Sequence, residues 1–284
     1  IGLFQGFWIS KIYVPAFIAT LAGMYAFRGL SNVVLQGYAV SISDVNFLNI
    51  FGGGADCYVP DFLGGGENLN LTCLLLGIIV AVIYILLTLR KVSTQKRMGI
   101  IQSGRSELIK TTIISVLVIW LFWKLASYKG VPTVLIWIAL VLGIYNYITN
   151  QTAIGRHLYA VGGNEKATAL SGVKTRRVFL FAYANMGLLA GLAGILTVAR
   201  ASSAQPTYGQ GYEMDAIASC FIGGASAYGG SGKVSGMIIG AILMGVINKG
   251  MIIVGVDANY QKVVKGIVLL IAVMFDVLSK RQKR

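Results

Sequence analysis

Leu71-Thr-Cys-Leu-Leu-Leu-Gly-Ile-Ile-Val-Ala-Val-Ile-Tyr-Ile-Leu-Leu-Thr-Leu89 carries no charge, and Arg90 and Lys91 follow at once. A helix rises about 1.5 Å per residue, so this block can span a hydrocarbon core roughly 30 Å thick. The charges around it give it a direction. Residues 29–89 contain no Lys or Arg but do contain Asp44, Asp56, Asp61 and Glu67. Fifteen of the 24 basic residues gather in three other intervals: Arg90, Lys91, Lys96, Arg97, Arg105 and Lys110; Arg156, Lys166, Lys174, Arg176 and Arg177; Lys280, Arg281, Lys283 and Arg284. Only Glu107 and Glu165 oppose them there. Basic loops mark the cytoplasmic side of a membrane protein.

Composition agrees. Hydrophobic residues make up 56% of the chain and charged ones 12%, about half the share usual in soluble domains. The net charge of +14 could suggest a nucleic-acid binder. Such proteins present a basic face on a soluble fold, whereas here the charges sit between apolar blocks, so no nucleic acid is expected. The fold class expected is all-α, a polytopic transmembrane helix bundle.

Spans are expected over about 12–35, with Pro15 near the start, and over 71–89, 108–128, 131–149, 178–199, 236–254 and 262–278. Residues 36–70 are acidic and glycine-rich, unsuited to lipid, and form an outer loop. The opening Ile1–Trp8 reads as the tail of a helix whose beginning is absent. If 178–199 runs outward and the last helix ends inside, the chain must return before 236. The stretch 212–228 is short, rich in small residues, and carries Glu213 and Asp215, which fits a short or broken crossing. Gly187 with Gly191, and Gly236 with Gly240, have the spacing that lets helices approach closely in lipid.

Asn164 can cap a short helix over 165–171, with Glu165 in its first turn and Gly172 as its stop. Glu213 and Asp215 are functional candidates by their depth, or else cap or pair within the short crossing. Apart from Asp276 at the end of the last span, no other carboxylate or His is embedded in the spans to form a proton relay. Arg28 and Arg200 fall near expected outer helix ends, against the charge rule, and either snorkel or meet a partner. Gly229-Gly-Ser-Gly-Lys233 lacks the first Gly and the closing Ser or Thr of a phosphate loop, so 229–235 reads as a turn. His157 stands without ligand-spaced partners, so no metal site is expected. Cys57 and Cys73 could form a disulfide on the outer side, but nothing in the sequence requires it, and Cys220 reads as a packing residue. Asn70-Leu-Thr72 is a formal glycosylation sequon.

The loop 155–177, Gln205-Pro206, Glu213–Ala218, Gly223–Ser226, Gly229-Gly230 and the ending Val264–Asp276 together resemble the permease subunits of bacterial ABC monosaccharide importers, the ribose, galactose and xylose branch. Ile18–Met24 and Arg28-Gly29 are similar earlier in the chain. Three spans over 71–150, where galactose-type permeases have one, make the chain most like xylose or multiple-monosaccharide permeases.

The resemblance implies a type II-like ABC importer permease, a single domain over 1–284 lacking its N-terminal helices, with 151–177 as its cytoplasmic coupling loop. It implies ATPase coupling through Gly162, Gly163, Asn164, Glu165, Ala169, Ser171 and Gly172. It places Glu213, Asp215, Ser219, Gly223, Gly224 and Ser226 on a translocation path or broken helix, and Arg28 and Arg200 against a sugar-binding protein. The implied partners are a second permease copy, two cytoplasmic ATP-binding subunits holding ATP and magnesium, a periplasmic or lipid-anchored sugar-binding protein, and inner-membrane lipid. This chain would bind no cofactor and catalyse no covalent step, and its C-terminus would be cytoplasmic. An ion-coupled secondary transporter or a channel is the alternative. The sugar itself is not decided by the sequence.

Overall fold

The computed structural model describes residues 1–54, 56–64, 69–97 and 104–281. Glu67, Lys283 and Arg284 lie outside the described residues. The described chain is helical apart from two short strands and its loops, and it divides into two compact units, Ser43–Trp137 and the remainder.

In the smaller unit, α3 (Val45–Phe51) rises from the outer loop. Asp44 caps it by accepting from the Asn46 and Phe47 amides, and Gly52 ends it at φ +90°. This helix was not expected. The α4 helix (Leu71–Arg97) lies antiparallel to α5 (Gly104–Ala126), with Gly77 against Phe122 and the Asn70 amide donating to the Ala126 carbonyl. Asn70, the sequon residue, accepts from the Cys73 amide and donates to Val59 O at 3.1 Å, so its side chain serves as a helix cap. Asp61 accepts from the Leu71 and Thr72 amides and, at 2.6 Å, from the Thr72 hydroxyl. Cys73, Ala126 and Val131 form a small core under this cap. Cys57, Cys73 and Cys220 are all free thiols.

The larger unit begins with α1 (Gly2–Lys11) and α2 (Ala16–Leu35). The expected span over 12–35 is corrected here. The chain breaks at 12–15, where Tyr13 takes φ +64° and Pro15 stands at the N-cap of α2. Beyond α2, β1 (Val40–Ser41) pairs antiparallel with β2 (Ser203–Ala204), which follows α9 (Thr175–Ala201). The C-terminal ends of α2 and α9 therefore share one side. α6 (Thr133–Gln151) is tied to α9 by Tyr145, whose hydroxyl donates to Asn185 Oδ1 at 2.6 Å.

The connector 155–177 is mostly helix, in two pieces. α7 (Ala153–Gly163) is capped by Thr152, and α8 (Glu165–Leu170) by Asn164. The glycines at 155, 162 and 163 read locally as loop, but tertiary contacts override that preference. Gly155 lets the chain turn a tight corner against the Ile148 and Thr149 carbonyls. The last three helices are α10 (Tyr212–Ile222), α11 (Val234–Ile253) and α12 (Ala258–Arg281).

Among the described residues, six helices are long and apolar enough to cross a membrane: α2, α4, α5, α6, α9 and α11. α12 is long enough, but Lys262, Lys265 and Asp276 dilute its apolar run. The most apolar 18 residues of α6 and of α9 contain no buried position, as expected of helices that face lipid or other subunits.

The small residues act unevenly. Gly187 meets Gly2 of α1 backbone to backbone, while Gly191 faces open space. Gly236 and Gly240 of α11 press against the carbonyls of Gly223 and Ser219 on α10. A Cβ at Gly240 would collide with that backbone, so Gly240→Ala is expected to cost about 1–3 kcal/mol of stability. Thermal unfolding of the detergent-purified protein checks this. Gly245→Ala, which enters open space, should leave the midpoint unchanged.

Candidate functional site

α10 begins after Gly209 and Gly211, both with positive φ, and carries Glu213 and Asp215 in its first turn. Neither carboxylate caps it. The N-cap is Gly211, which makes no side-chain bond, and Glu213 is exposed. Asp215 takes the other expected course and pairs. Its Oδ2 lies 2.8 Å from Lys265 Nζ of α12 and accepts from Asn248 Nδ2 of α11 at 3.1 Å. One carboxylate oxygen thus joins three helices. Ser219 Oγ donates back to the Asp215 carbonyl at 2.6 Å, four residues along α10. Asp215 Oδ1 and Asn248 Oδ1 are buried without a hydrogen-bond partner, two acceptors facing the interior of this cluster.

Lys265 and Asn248 were not singled out in the sequence. Lys265 lies fifty positions from Asp215, in an apolar run where a lone cation offers no periodic signal. Their signal was depth alone, since an ionisable or amide side chain inside a span needs a partner.

At its far end α10 stops at Gly223, and Gly224 turns the chain at φ +85°. The turn is closed by Ser226 N–H donating to Ser231 O, and it is held to α12 by Ala227 N–H donating to Asp276 Oδ2 at 3.0 Å. Gly229 and Gly230 lie backbone to backbone on Gly162 and Gly163 at the end of α7, and Tyr159 O–H donates to Gly232 O at 2.8 Å. Asp215 and Ser219 therefore lie on α10 and Gly223 is its C-cap, while Gly224 and Ser226 lie in a turn adjoining α7. A helix, not a strand, precedes Gly229–Lys233.

The stretch 205–224 thus leads from the β2 end of α9 back toward the α7 end, only partly as helix. The strand β2 sits at the C-terminal end of α9, and the turn sits beside the helices that lead into its N-terminal end. The 27 residues of α9 give a length of about 40 Å. The 11 helical residues of α10 supply about 16 Å of the return, and irregular backbone supplies the rest.

α8 is capped as the sequence indicates. Asn164 Oδ1 accepts from the Ala167 amide at 3.0 Å, Thr168 is buried, and Gly172 stops the chain at φ +85°. Glu165, Ala169 and Ser171 are exposed. Leu170, passed over in the sequence, is 90% exposed, a large apolar side chain with nothing over it.

Arg200 stands in the last turn of α9 and is exposed. Arg28 differs from expectation. It lies seven residues before the end of α2, about 10 Å inside the helix, and is half-buried. Neither makes an ion pair among the described residues.

The family described as "Branched-chain amino acid transport system / permease component" matches residues 67–273, which takes in α4 through most of α12. The chain belongs to this permease family. It is 34% identical to the xylose transport system permease protein XylH of Haemophilus influenzae over 283 residues, 99% of this chain and 72% of that protein. The Escherichia coli protein of the same name is 32% identical, again over 99% of this chain and over 69% of its own length. The ribose import permease protein RbsC of Escherichia coli is 48% identical over 153 residues, 54% of this chain and 47% of that protein. No solved structure matches.

For the permease, the Asp215–Lys265 pair has a direct energetic reading. Each side chain is about one quarter exposed, so the pair is stronger than a surface bridge and weaker than a fully buried one. Lys265→Met strands the Asp215 carboxylate between helices and should destabilise the permease by about 2 kcal/mol. Combining it with Asp215→Asn should restore most of the loss, which thermal unfolding of the single and double variants in detergent measures.

Proposed function

We propose that the permease is the membrane subunit of an ATP-driven monosaccharide importer of the bacterial inner membrane, with xylose as its sugar. The observation that carries this is similarity to two xylose permeases along 99% of the chain. Two copies would form the path between them. ATP and magnesium belong to two partner ATPases, and a periplasmic or lipid-anchored binding protein delivers the sugar.

The charge pattern supports the orientation. Arg156, Lys166, Lys174, Arg176 and Arg177 surround α7 and α8, so that side is cytoplasmic, and the tie from the 223–233 turn to Asp276 brings the C-terminal end of α12 to the same side. The strands β1 and β2 then mark the periplasmic side, where Arg200 and, deeper, Arg28 meet the binding protein.

The coupling surface is α8 with its flanks, Gly162, Gly163, Asn164, Glu165, Ala169, Ser171 and Gly172, with Leu170 as its apolar contact. ATPase closure displaces α7 and α8. The glycine contact passes that displacement to the 223–233 turn, and the turn carries α10 with its path residues Asp215, Ser219 and Gly223. Alternating access is thus a two-state balance of the bundle, shifted by the ATPases.

Sugar-stimulated ATP hydrolysis in the reconstituted complex tests this reading, with xylose, ribose, glucose, galactose and arabinose compared. Xylose-loaded binding protein should stimulate most. Leu170→Ala should weaken ATPase association by about tenfold, in keeping with the loss of a buried leucine side chain. Reversing both arginines, Arg28→Glu with Arg200→Glu, should weaken capture of the binding protein while leaving ATPase association intact. Equal ATPase association in Leu170→Ala removes α8 from the coupling role, and equal capture removes the arginines from docking.

A further inference from the structure

A cavity of about 230 Å³ opens between the α1–α2 break and the start of α9, beside α8. Its polar lining comprises Ser10, Tyr13, Glu165, Arg176 and Tyr183, and apolar side chains including Phe179 complete it. Ser10 is 3% exposed, and its hydroxyl has no hydrogen-bond partner.

The other polar groups are also uncommitted. Among the described residues, Glu165 and Arg176 line the same cavity without forming an ion pair, and the Tyr183 hydroxyl has no partner. The Arg176 guanidinium lies 4.8 Å from the Tyr13 ring centroid, a contact that leaves its N–H groups free to donate. The cavity therefore offers one cation, one carboxylate and hydroxyl donors over an apolar floor.

We propose that this cavity binds the head group of a phospholipid of the cytoplasmic leaflet that carries both a phosphate and a primary amine. Arg176, with the Tyr183 hydroxyl, holds the phosphate; Glu165 accepts from the ammonium. The volume equals that of on the order of seven waters, enough for such a head group. Apolar residues of α1, α2 and α9 then receive the start of the acyl chains. Glu165 is the first residue of α8, so an occupied site braces the coupling helix against the bundle, and coupling depends on lipid composition. The proposal rests on the topology given above, which places α8 at the cytoplasmic leaflet.

The test is native mass spectrometry of the purified full-length permease after exchange into nanodiscs of phosphatidylethanolamine, phosphatidylcholine or phosphatidylglycerol. This readout needs neither ATPase nor sugar, so it stands or falls separately from transport. Phosphatidylethanolamine should be retained over the other two. Arg176→Ala should lower its retention by about tenfold, and Tyr183→Phe by about threefold. Glu165→Gln should abolish the preference over phosphatidylglycerol, and Arg177→Ala, which does not line the cavity, should retain the lipid as the unmodified protein does. Equal retention of all three lipids, or unchanged retention in Arg176→Ala and Tyr183→Phe, overturns the site. Full displacement by water-soluble glycerophosphoethanolamine would instead make it a site for a soluble phosphate ester and overturn the lipid assignment.

Discussion

Backbone that crosses lipid must satisfy its own hydrogen bonds, and α10 is too short to do so alone. In hydrocarbon each unpaired amide or carbonyl costs several kcal/mol, so irregular backbone survives at that depth only against protein or water. The permease solves this with glycine. Gly236 and Gly240 bring α11 into backbone contact with α10 at Gly223 and Ser219. Asp215 then fixes the other end of α10, through Asn248 to α11 and through Lys265 to α12. A helix of 11 residues is thereby held at both ends by neighbours that cross fully or nearly so.

The same device joins the short helix to α7. Its C-terminal turn rests on Gly162 and Gly163, one residue before the Asn164 cap of α8. Backbone packed on backbone has little slack, because no side chain can adjust its rotamer to absorb a displacement. The Asp215–Lys265 pair ties α10 to α12. Glycine contacts and the ion pair together tie α10 and its turn to α7, α11 and α12.

Much of this was legible in the sequence, for physical reasons that differ from element to element. Long apolar blocks and the one-sided placement of Lys and Arg gave the spans, because the bilayer imposes length and charge together. Asn164 and Gly172 gave α8, since capping is local chemistry. The Gly236/Gly240 spacing gave a close helix contact without naming its partner. The Asp215–Lys265 pair was not legible, because two residues fifty positions apart share no local pattern. α7 was hidden by its three glycines, whose propensity favours loop until packing against the 229–230 turn is known. Arg28 looked terminal, but the expected span and α2 both end at residue 35, seven positions beyond it, which sets Arg28 inside the helix.

The central claim is that this bundle moves a sugar only when ATP drives its partners. Uptake of radiolabelled xylose into proteoliposomes containing the permease, its ATPase and its binding protein tests it most directly. The account predicts accumulation that requires internal ATP and the binding protein and ceases when either is withheld. Xylose uptake that continues at full rate without ATP, driven by an ion gradient or by none, would contradict it.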